Sequence, residues 1–248
     1  MEKGNKELEA KIKDTIRLSE KYASPRFTSF LDESEQAALK DFPIYDQNFS
    51  CYGGFEEARR KMFGVFPEWE EIDYSEFPIK IVNFIKKYPK ELTHRDYLGT
   101  ILSLGIERNK VGDILVNDDG AYVFLSENIA DTVLFGIEKI SNCGIKSKTV
   151  NIDEIEIPKQ EYDDLKCIAA SMRLDALVSG ITKQSRNQAT LLIKSGKVML
   201  NHKEIQDGSA SVSEEDTISI RGYGRFIVSS VDGRTGSGRL HVHIKKFR

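Results

Sequence analysis

Apolar residues at helical spacing dominate the first part of the chain. Leu8 and Ile12 begin a run with an apolar residue at every third or fourth position, which predicts a first helix. The same pattern predicts two further short helices, over residues 35–40 and 55–62. Residues 1–75 are therefore predicted to form a small helical domain.

The middle of the chain alternates between strand and helix patterns. Short apolar runs predict four strands, and residues 117–120 (Asn-Asp-Asp-Gly) predict a hairpin turn between the second and the third. Helical patterns begin at Thr93 and Glu127. The order strand, helix, strand, strand, helix, strand is the split βαβ arrangement of ferredoxin-like and RRM domains. Residues 76–160 are thus predicted to form an RRM-like βαββαβ domain.

The third predicted strand of this domain carries two aromatic residues on one face. Tyr122 and Phe124 share that face because successive side chains of a strand alternate. In RRM domains that bind single strands, exposed aromatics of the sheet stack on bases. No Lys or Arg accompanies this pair and its surroundings are acidic, which favours core residues over a stacking platform.

The last third of the chain predicts two short helices followed by β-hairpins. Gly180 marks the predicted end of the first helix, and Ser185 with Gln188 predicts a capping box at the start of the second. Asn201 begins a tight hairpin turn, and a C-terminal hairpin follows. Residues 168–248 are therefore predicted to form a third domain of helices and hairpins. With the two preceding domains, this predicts the α+β fold class for the protein.

The composition is that of a folded chain. Of its 248 residues, 40% are hydrophobic and 30% are charged, which excludes a disordered protein. No stretch approaches the roughly 18–20 apolar residues of a membrane-spanning helix. The charged N-terminus lacks the pattern of a signal peptide, so we expect a cytoplasmic protein that does not act at a membrane.

Metal and phosphate sites have little sequence support. The three cysteines form no C-x-x-C pair, so no disulfide framework, zinc site or other cofactor is predicted. His241 and His243 lack a visible third metal ligand, which favours a basic, solvent-facing role. Gly53-Gly54 precedes a predicted helix, but Glu56 would repel a phosphate there, which favours a simple backbone turn.

The distribution of charge is more informative than its total. Residues 171–248 contain 13 Lys+Arg and 7 Asp+Glu, a net charge of +6, whereas residues 1–170 contain 23 and 32, a net charge of −9. Such asymmetry indicates a polyanionic partner for the C-terminal part. Arg186 lies in the first turn of a predicted helix, where free N–H groups and the helix dipole also favour an anion.

The same segment resembles the alpha-L motif of the S-four RNA-binding domain. Arg173-Leu174-Asp175 is followed by S-R-x-x-A-x-x-L-I-x-x-G-x-V-x-L-N over residues 185–201. One departure is His202, where the family often has glycine after the asparagine. Histidine tolerates a positive φ better than most residues, so we expect the turn to persist.

The S-four resemblance implies binding to structured RNA and supplies a set of candidate contact residues. The implied surface is the helical face, extended by basic residues of the following strands. The candidate RNA-binding residues are Arg173, Lys183, Ser185, Arg186, Gln188, Lys194, Lys197, Lys203, Arg221 and Arg225.

An enzyme remains the alternative. R-L-D-A-L-V-S-G also looks like a motif of pseudouridine synthases, in which Asp175 would be the nucleophile. Val178 stands where that motif has threonine, and only 68 residues follow Gly180, too few for the catalytic sheet of those enzymes. A structural role for Asp175, as the partner of a nearby arginine or backbone amide, is therefore favoured, and no catalytic residue is predicted.

The predicted order of domains is similar to that of the YlmH family of bacterial RNA-binding proteins. The motifs C-Y-G-G-F-E-E-A-R-R-K (residues 51–61) and I-R-G-Y-G-R-F (residues 220–226) strengthen this resemblance, which spans essentially the whole chain. It implies a non-catalytic protein without a small-molecule substrate. The implied partners are ribosomal RNA, tRNA and the large ribosomal subunit, with a role in the rescue of stalled subunits that carry peptidyl-tRNA.

Overall fold

The computed structural model describes residues 2–44, 46–158, 160–236 and 238–247. These residues divide into two compact units, residues 1–158 and residues 159–248. Each unit has antiparallel sheets with helices packed against them, which confirms the α+β fold class. Within the described residues, no helix is both long enough and apolar enough to cross a membrane.

The N-terminal part of the first unit combines helices with a small sheet. The elements are α1 (Glu2–Tyr22), β1 (Arg26–Leu31), α2 (Glu33–Ala38), β2 (Asn48–Tyr52) and β3 (Lys61–Phe66). The sheet has the order β1-β3-β2, and Leu8 and Ile12 of α1 pack against Leu31 and Phe63 on it.

The prediction that this part is purely helical was wrong. The first two predicted helices are present, but the predicted third helix over 55–62 is a turn that leads into β3. Residues 62–66 of β3 are all buried, because the strand lies between β1 and β2 and under α1. A strand buried on both faces has no two-residue alternation, so its apolar run looks the same as part of a buried helix.

The central part of the first unit has the predicted split βαβ order. The elements are β4 (Ile79–Lys86), α3 (His94–Leu102), β5 (Val111–Asn117), β6 (Gly120–Ser126), α4 (Glu127–Gly136), β7 (Lys139–Ile140) and β8 (Cys143–Val150). The sheet has the order β5-β6-β4-β8-β7, and all neighbouring strands are antiparallel. Helix α4 ends at Gly136, and the chain then forms the short strand β7, which pairs with β8.

Both faces of this central sheet are covered. Helices α3 and α4 pack on one face, around Tyr97 and Val133. On the other face, Phe124 is fully buried against Phe55, with the two ring centroids 5.0 Å apart, and Phe30 belongs to the same cluster. The preference for a core role over a stacking platform is therefore confirmed for Phe124.

Gly53 and Gly54 allow this cover to form. A Cβ atom on Gly53 would lie 2.3 Å from the Arg60 carbonyl oxygen, and one on Gly54 would lie 2.4 Å from Cδ1 of Phe124. Gly54 also has a φ of +102°, which side chains rarely adopt. The two glycines thus make a close-packed backbone turn, the interpretation that the sequence favoured.

The second unit is built on a six-stranded antiparallel sheet with two helices on one face. Its elements are β9 (Tyr162–Ala169), α5 (Leu174–Thr182), α6 (Arg186–Lys194), β10 (Val198–Leu200), β11 (Lys203–Glu204), β12 (Thr217–Ile220), β13 (Gly224–Arg234) and β14 (Leu240–Phe247). The strand order is β11-β10-β12-β13-β14-β9. Leu174, Leu177 and Ile193 of α5 and α6 form a single core with the inward residues of the strands.

Two sequence interpretations of this unit need correction. Most of residues 161–167, which the predicted domain bounds leave between the RRM-like and the S-four domain, belong to the edge strand β9, which pairs with β14 along its whole length. Helix α5 continues through Gly180 to Thr182. Gly180 allows close packing, because a Cβ atom there would lie 3.1 Å from the Cβ atom of Cys167.

Candidate RNA interface

The candidate interface is built on the short connection between α5 and α6. Lys183 ends α5 in the left-handed conformation, with a φ of 55°, and reverses the chain within three residues. Ser185 then caps α6, since its Oγ accepts a hydrogen bond from the backbone N–H of Gln188 at 3.3 Å. This is the Ser185 half of the predicted capping box. The connection therefore holds Lys183, Ser185 and Gln188 together at one end of the helix pair.

Asp175 joins the beginnings of the two helices through Arg173 and Arg186. Arg173 donates from Nε and Nη2 to the two carboxylate oxygens of Asp175 at 3.2 and 3.1 Å. Arg186 donates from Nε and Nη2 to the same oxygens at 2.9–3.1 Å. The Asp175 side chain is only 8% exposed, whereas the arginine side chains are 43% and 52% exposed.

This arrangement keeps Asp175 ionised. Burial by itself would raise the pKa of the Asp175 carboxyl, but hydrogen bonds from Arg173 and Arg186 and their positive charges outweigh it and lower the pKa. The buried carboxylate in turn fixes the position of both guanidinium groups. Two cations are thereby held side by side at the surface, where the mutual repulsion of arginines would otherwise separate them.

The hairpin after α6 has the predicted tight turn. Asn201 and His202 have φ values of 48° and 65°, as a type I′ turn requires, and Leu200 pairs with Lys203 across it. The Asn201 side chain also accepts from the Thr217 backbone N–H at 2.9 Å and donates to Asp216 at 2.7 Å. The departure from glycine at His202 is therefore compatible with the turn, as predicted.

The structure brings most of the candidate residues to the surface. Arg173 and Arg225 are partly buried, and the other eight are exposed. Lys197 and Arg221 are neighbours, because the Arg221 backbone N–H donates to the Lys197 carbonyl oxygen at 2.9 Å.

Arg225 lies on a different face from the helices. Phe226 points into the core beneath α5 and α6, so Arg225 points to the opposite face of the sheet, where its guanidinium lies 5.1 Å from the Phe247 ring centroid. The candidate set is therefore split between two faces of the sheet.

This opposite face also carries residues outside the candidate set. Lys245 lies 5.8 Å from the ring centroid of Tyr162, and Tyr162 packs edge-on against Phe247 at 5.1 Å. The alternation in β14 indicated Lys245, but the position of Tyr162 depended on the unrecognised strand β9.

The described part of the chain gives no support for a metal site. No group of three His, Cys, Asp or Glu residues there is arranged to hold a metal ion. His243 instead pairs with Asp232 at 2.6 Å. Burial raises the pKa of the Cys51 and Cys167 thiols to about 11, so both are neutral near pH 7.

Comparison with known proteins provides independent information on both parts of the chain. Residues 70–154 match the family described as "Putative RNA-binding domain in YlmH", and residues 172–218 match the S4 (S-four) domain. The chain is 29% identical over 224 residues to "Ribosome-associated protein quality control protein P2" of Bacillus subtilis (strain 168), a match that covers 89% of this chain and 87% of the relative.

A solved structure is similar in fold. It is "Cell division protein ylmH from Streptococcus pneumoniae", with a TM-score of 0.54 and 22% sequence identity. The superposition covers 61% of this chain and 93% of the other chain. At this identity the likeness supports the fold alone.

Proposed function

This chain carries a YlmH-type RNA-binding domain followed by an S-four domain, and on that premise we propose that it is a non-catalytic factor that binds structured ribosomal RNA and tRNA. We further propose that it acts in the cytoplasm on the large ribosomal subunit carrying peptidyl-tRNA, in ribosome-associated quality control. The name of the B. subtilis relative supports this second step. The sequence resemblance to the YlmH family, which the matched domains confirm, points the same way.

The observation that carries the proposal is the set of exposed cations along the α5–α6 pair. Lys183, which follows α5, and Lys194, in the last turn of α6, are exposed, and a buried carboxylate holds Arg173 and Arg186 at the starts of the two helices. Prepositioned arginines suit phosphate oxygens because a guanidinium binds them in a fixed, two-pronged geometry. Fixed spacing between cations favours a folded RNA, whose phosphates are themselves held at fixed distances.

The alternative of a pseudouridine synthase has less support. A nucleophilic carboxylate needs an open approach, but the Asp175 side chain is 8% exposed and both of its oxygens accept hydrogen bonds from arginines. Val178, at the position of the threonine in the synthase motif, is fully buried in the core. The geometry therefore favours the structural role for Asp175 that the sequence analysis preferred.

The test of the RNA-binding face uses Lys183 and Lys194, whose side chains take no part in the contacts around Asp175. We expect Lys183→Gln/Lys194→Gln to weaken binding to tRNA and to ribosomal RNA fragments at least tenfold at moderate salt. The slope of log affinity against log salt should fall by about 1–2, since about 0.9 counterion is released per phosphate contact. Arg186→Ala is unsuitable here because it would also leave the buried Asp175 short of a partner.

The matched control removes the same charge elsewhere. Lys6→Gln/Lys13→Gln changes two exposed lysines on α1 and should leave both the affinity and the salt slope unchanged. Equal losses in the two double variants would mean that net charge, and not this face, determines the binding. Unchanged binding in the Lys183/Lys194 variant would contradict the assignment of the face.

A further inference from the structure

Both faces of the central sheet are covered, so the sheet itself does not show where this part of the chain could bind RNA. Residues 70–154 match a family described by RNA binding, yet Phe124 on the sheet face used by RRM domains is fully buried. Any RNA surface of this part must therefore lie elsewhere on the first unit. Exposed aromatic side chains with lysines near them would provide such a surface, because rings stack on bases and lysines bind phosphates.

One end of the first unit combines both features. The chain leaving β4 reads Lys-Lys-Tyr-Pro-Lys, and the end of α4 and the strand after it add an aromatic residue and a further lysine. We call this the lysine-aromatic surface, and it consists of Lys86, Lys87, Tyr88, Lys90, Phe135 and Lys139.

Backbone and side-chain contacts hold these segments together. The Lys87 backbone N–H donates to the Gly144 carbonyl oxygen at 2.9 Å, and the Tyr88 hydroxyl donates to the Asn142 carbonyl oxygen. Lys139 pairs with Gly144 across the β7–β8 hairpin. The segment after β4 is thus fastened to the hairpin that follows α4.

An open depression with a volume of about 590 Å³ lies at this surface. Lys87, Phe135 and Lys139 line it, together with Glu138 and Ser147.

The aromatic side chains are unusually accessible. Phe135 is 77% exposed and Tyr88 is 48% exposed. A phenyl ring that remains in water contributes nothing to the core, but it offers a flat surface on which a base can stack. Stacking of this kind needs unpaired bases, so it selects single-stranded segments.

The charge at this surface differs from that of the surrounding chain. Residues 1–170 have a net charge of −9, yet Lys87 and Lys139 line this depression with Glu138 as its one acidic lining residue. Lys86 and Lys90 line a second depression with Glu91 and Asp118, and the Lys86 ammonium donates to the Lys90 carbonyl oxygen at 2.9 Å. Lysines beside exposed rings are the arrangement by which sequence-tolerant proteins hold the phosphates and bases of a single strand.

We propose that the lysine-aromatic surface binds a short single-stranded RNA segment, with bases stacked on Phe135 and Tyr88 and phosphates held by the lysines. The proposal rests on the proposed RNA-binding function and adds a second contact, which takes unpaired nucleotides while the S-four helices take folded RNA. A protein partner is disfavoured because the surface is rich in lysine, a residue depleted at the centres of protein interfaces.

The test uses the full-length protein and a fluorescein-labelled octauridylate, with a tRNA as the second probe. We expect Phe135→Ala/Lys139→Gln to weaken octauridylate binding about tenfold, the effect of losing one stacked base. Binding of the tRNA should change less than twofold. Phe135 is largely exposed, so the variant should fold, and circular dichroism checks this.

Trp69→Ala is the matched control. Trp69 is 76% exposed in the same unit, but its neighbours in sequence are Glu68 and Glu70. Its loss should leave octauridylate binding unchanged. Wild-type affinity in the Phe135/Lys139 variant, or an equal loss in Trp69→Ala, would overturn the proposal.

The Lys183→Gln/Lys194→Gln variant separates this proposal from the proposed function. It should lose tRNA binding and retain octauridylate binding. If it loses tRNA binding while the Phe135/Lys139 variant behaves as wild type, the S-four proposal stands and the lysine-aromatic proposal fails.

Discussion

At the scale of single residues, the candidate interface depends on one buried carboxylate. Asp175 accepts hydrogen bonds from Arg173 and Arg186, which come from the starts of two different helices. Removing its charge would leave two guanidinium groups close together without a counterion. The same residue therefore stabilises the helix pair and positions two of the candidate RNA-binding cations.

The first prediction concerns the stability supplied by Asp175. Asp175→Asn should lower the free energy of unfolding by about 1–3 kcal/mol near pH 7, as expected for lost hydrogen bonds to a charged group. Urea denaturation measures this, and Asp131→Asn, at an exposed position on α4, is the control. Equal stability of Asp175→Asn and the wild type would contradict the structural role.

The pH dependence of this effect has a definite sign. Because the folded-state pKa of Asp175 is lowered, its contribution is fully present above the unfolded pKa of about 3.9 and is lost as the pH falls through the folded-state pKa. The difference between wild type and Asp175→Asn should therefore shrink in acid. A difference that grows below pH 4 would show that the sign is wrong.

The same position also tests for catalysis. Purified wild-type protein should form no pseudouridine in ribosomal RNA or tRNA, because the Asp175 carboxylate is enclosed by arginines. Mass spectrometry of nucleosides from treated RNA provides the measurement. Pseudouridine formed by the wild type and absent with Asp175→Asn would overturn the non-catalytic proposal.

At the scale of elements, the central sheet differs from an open RRM-type sheet because both of its faces are covered. Strand β6 is buried at every position except Tyr122, which is half-buried. Helices cover one face, and the segment around Gly54 and Phe55 covers the other. The fit between Gly54 and Phe124 is close enough that a single methyl group should disturb it.

A pair of glycine substitutions tests this cover. Gly54→Ala should lower the free energy of unfolding by about 1–3 kcal/mol, since the added Cβ atom overlaps the Phe124 ring and φ is positive. Gly99→Ala, within α3 and with no atom within 4 Å of the new Cβ, should raise it by about 0.5–1 kcal/mol. Thermal denaturation of both variants gives the comparison, and a shift of the same sign in both would contradict the packing argument.

At the scale of the whole molecule, the two units carry opposite charge. Residues 1–158 contain 21 Lys+Arg and 29 Asp+Glu, a net charge of −8, and residues 159–248 contain 15 and 10, a net charge of +5. Each unit has its own hydrophobic core. Electrostatic attraction of folded RNA should therefore reside in the second unit.

Separate expression of the units tests this division. Residues 160–248 should bind tRNA more tightly than residues 1–158 and should account for most of the salt dependence of the full chain. Filter binding at several salt concentrations provides the comparison, with circular dichroism to check that each fragment is folded. Retention of most tRNA binding by residues 1–158 would show that charge distribution is a poor guide to this protein.

The sequence by itself determined the features that depend on local interactions. The turn at Asn201-His202, the cap at Ser185 and the βαββαβ order follow from residues close together in the chain, and the structure has all three. The S-four motif also located the α5–α6 segment in the sequence, because helix and turn geometry require particular residue types at fixed spacing along this motif.

Tertiary structure alone decided which surfaces remained open. Phe124 is buried because a turn about 70 residues earlier in the chain packs on its strand. Phe226 is buried in the core beneath α5 and α6, so its neighbour Arg225 points to the face of the sheet away from these helices. Arg186 meets Asp175 only when α6 folds back beside α5. These outcomes depend on contacts between distant segments, whose pairing is set by the packing of the complete core and not by the spacing of residues along the chain.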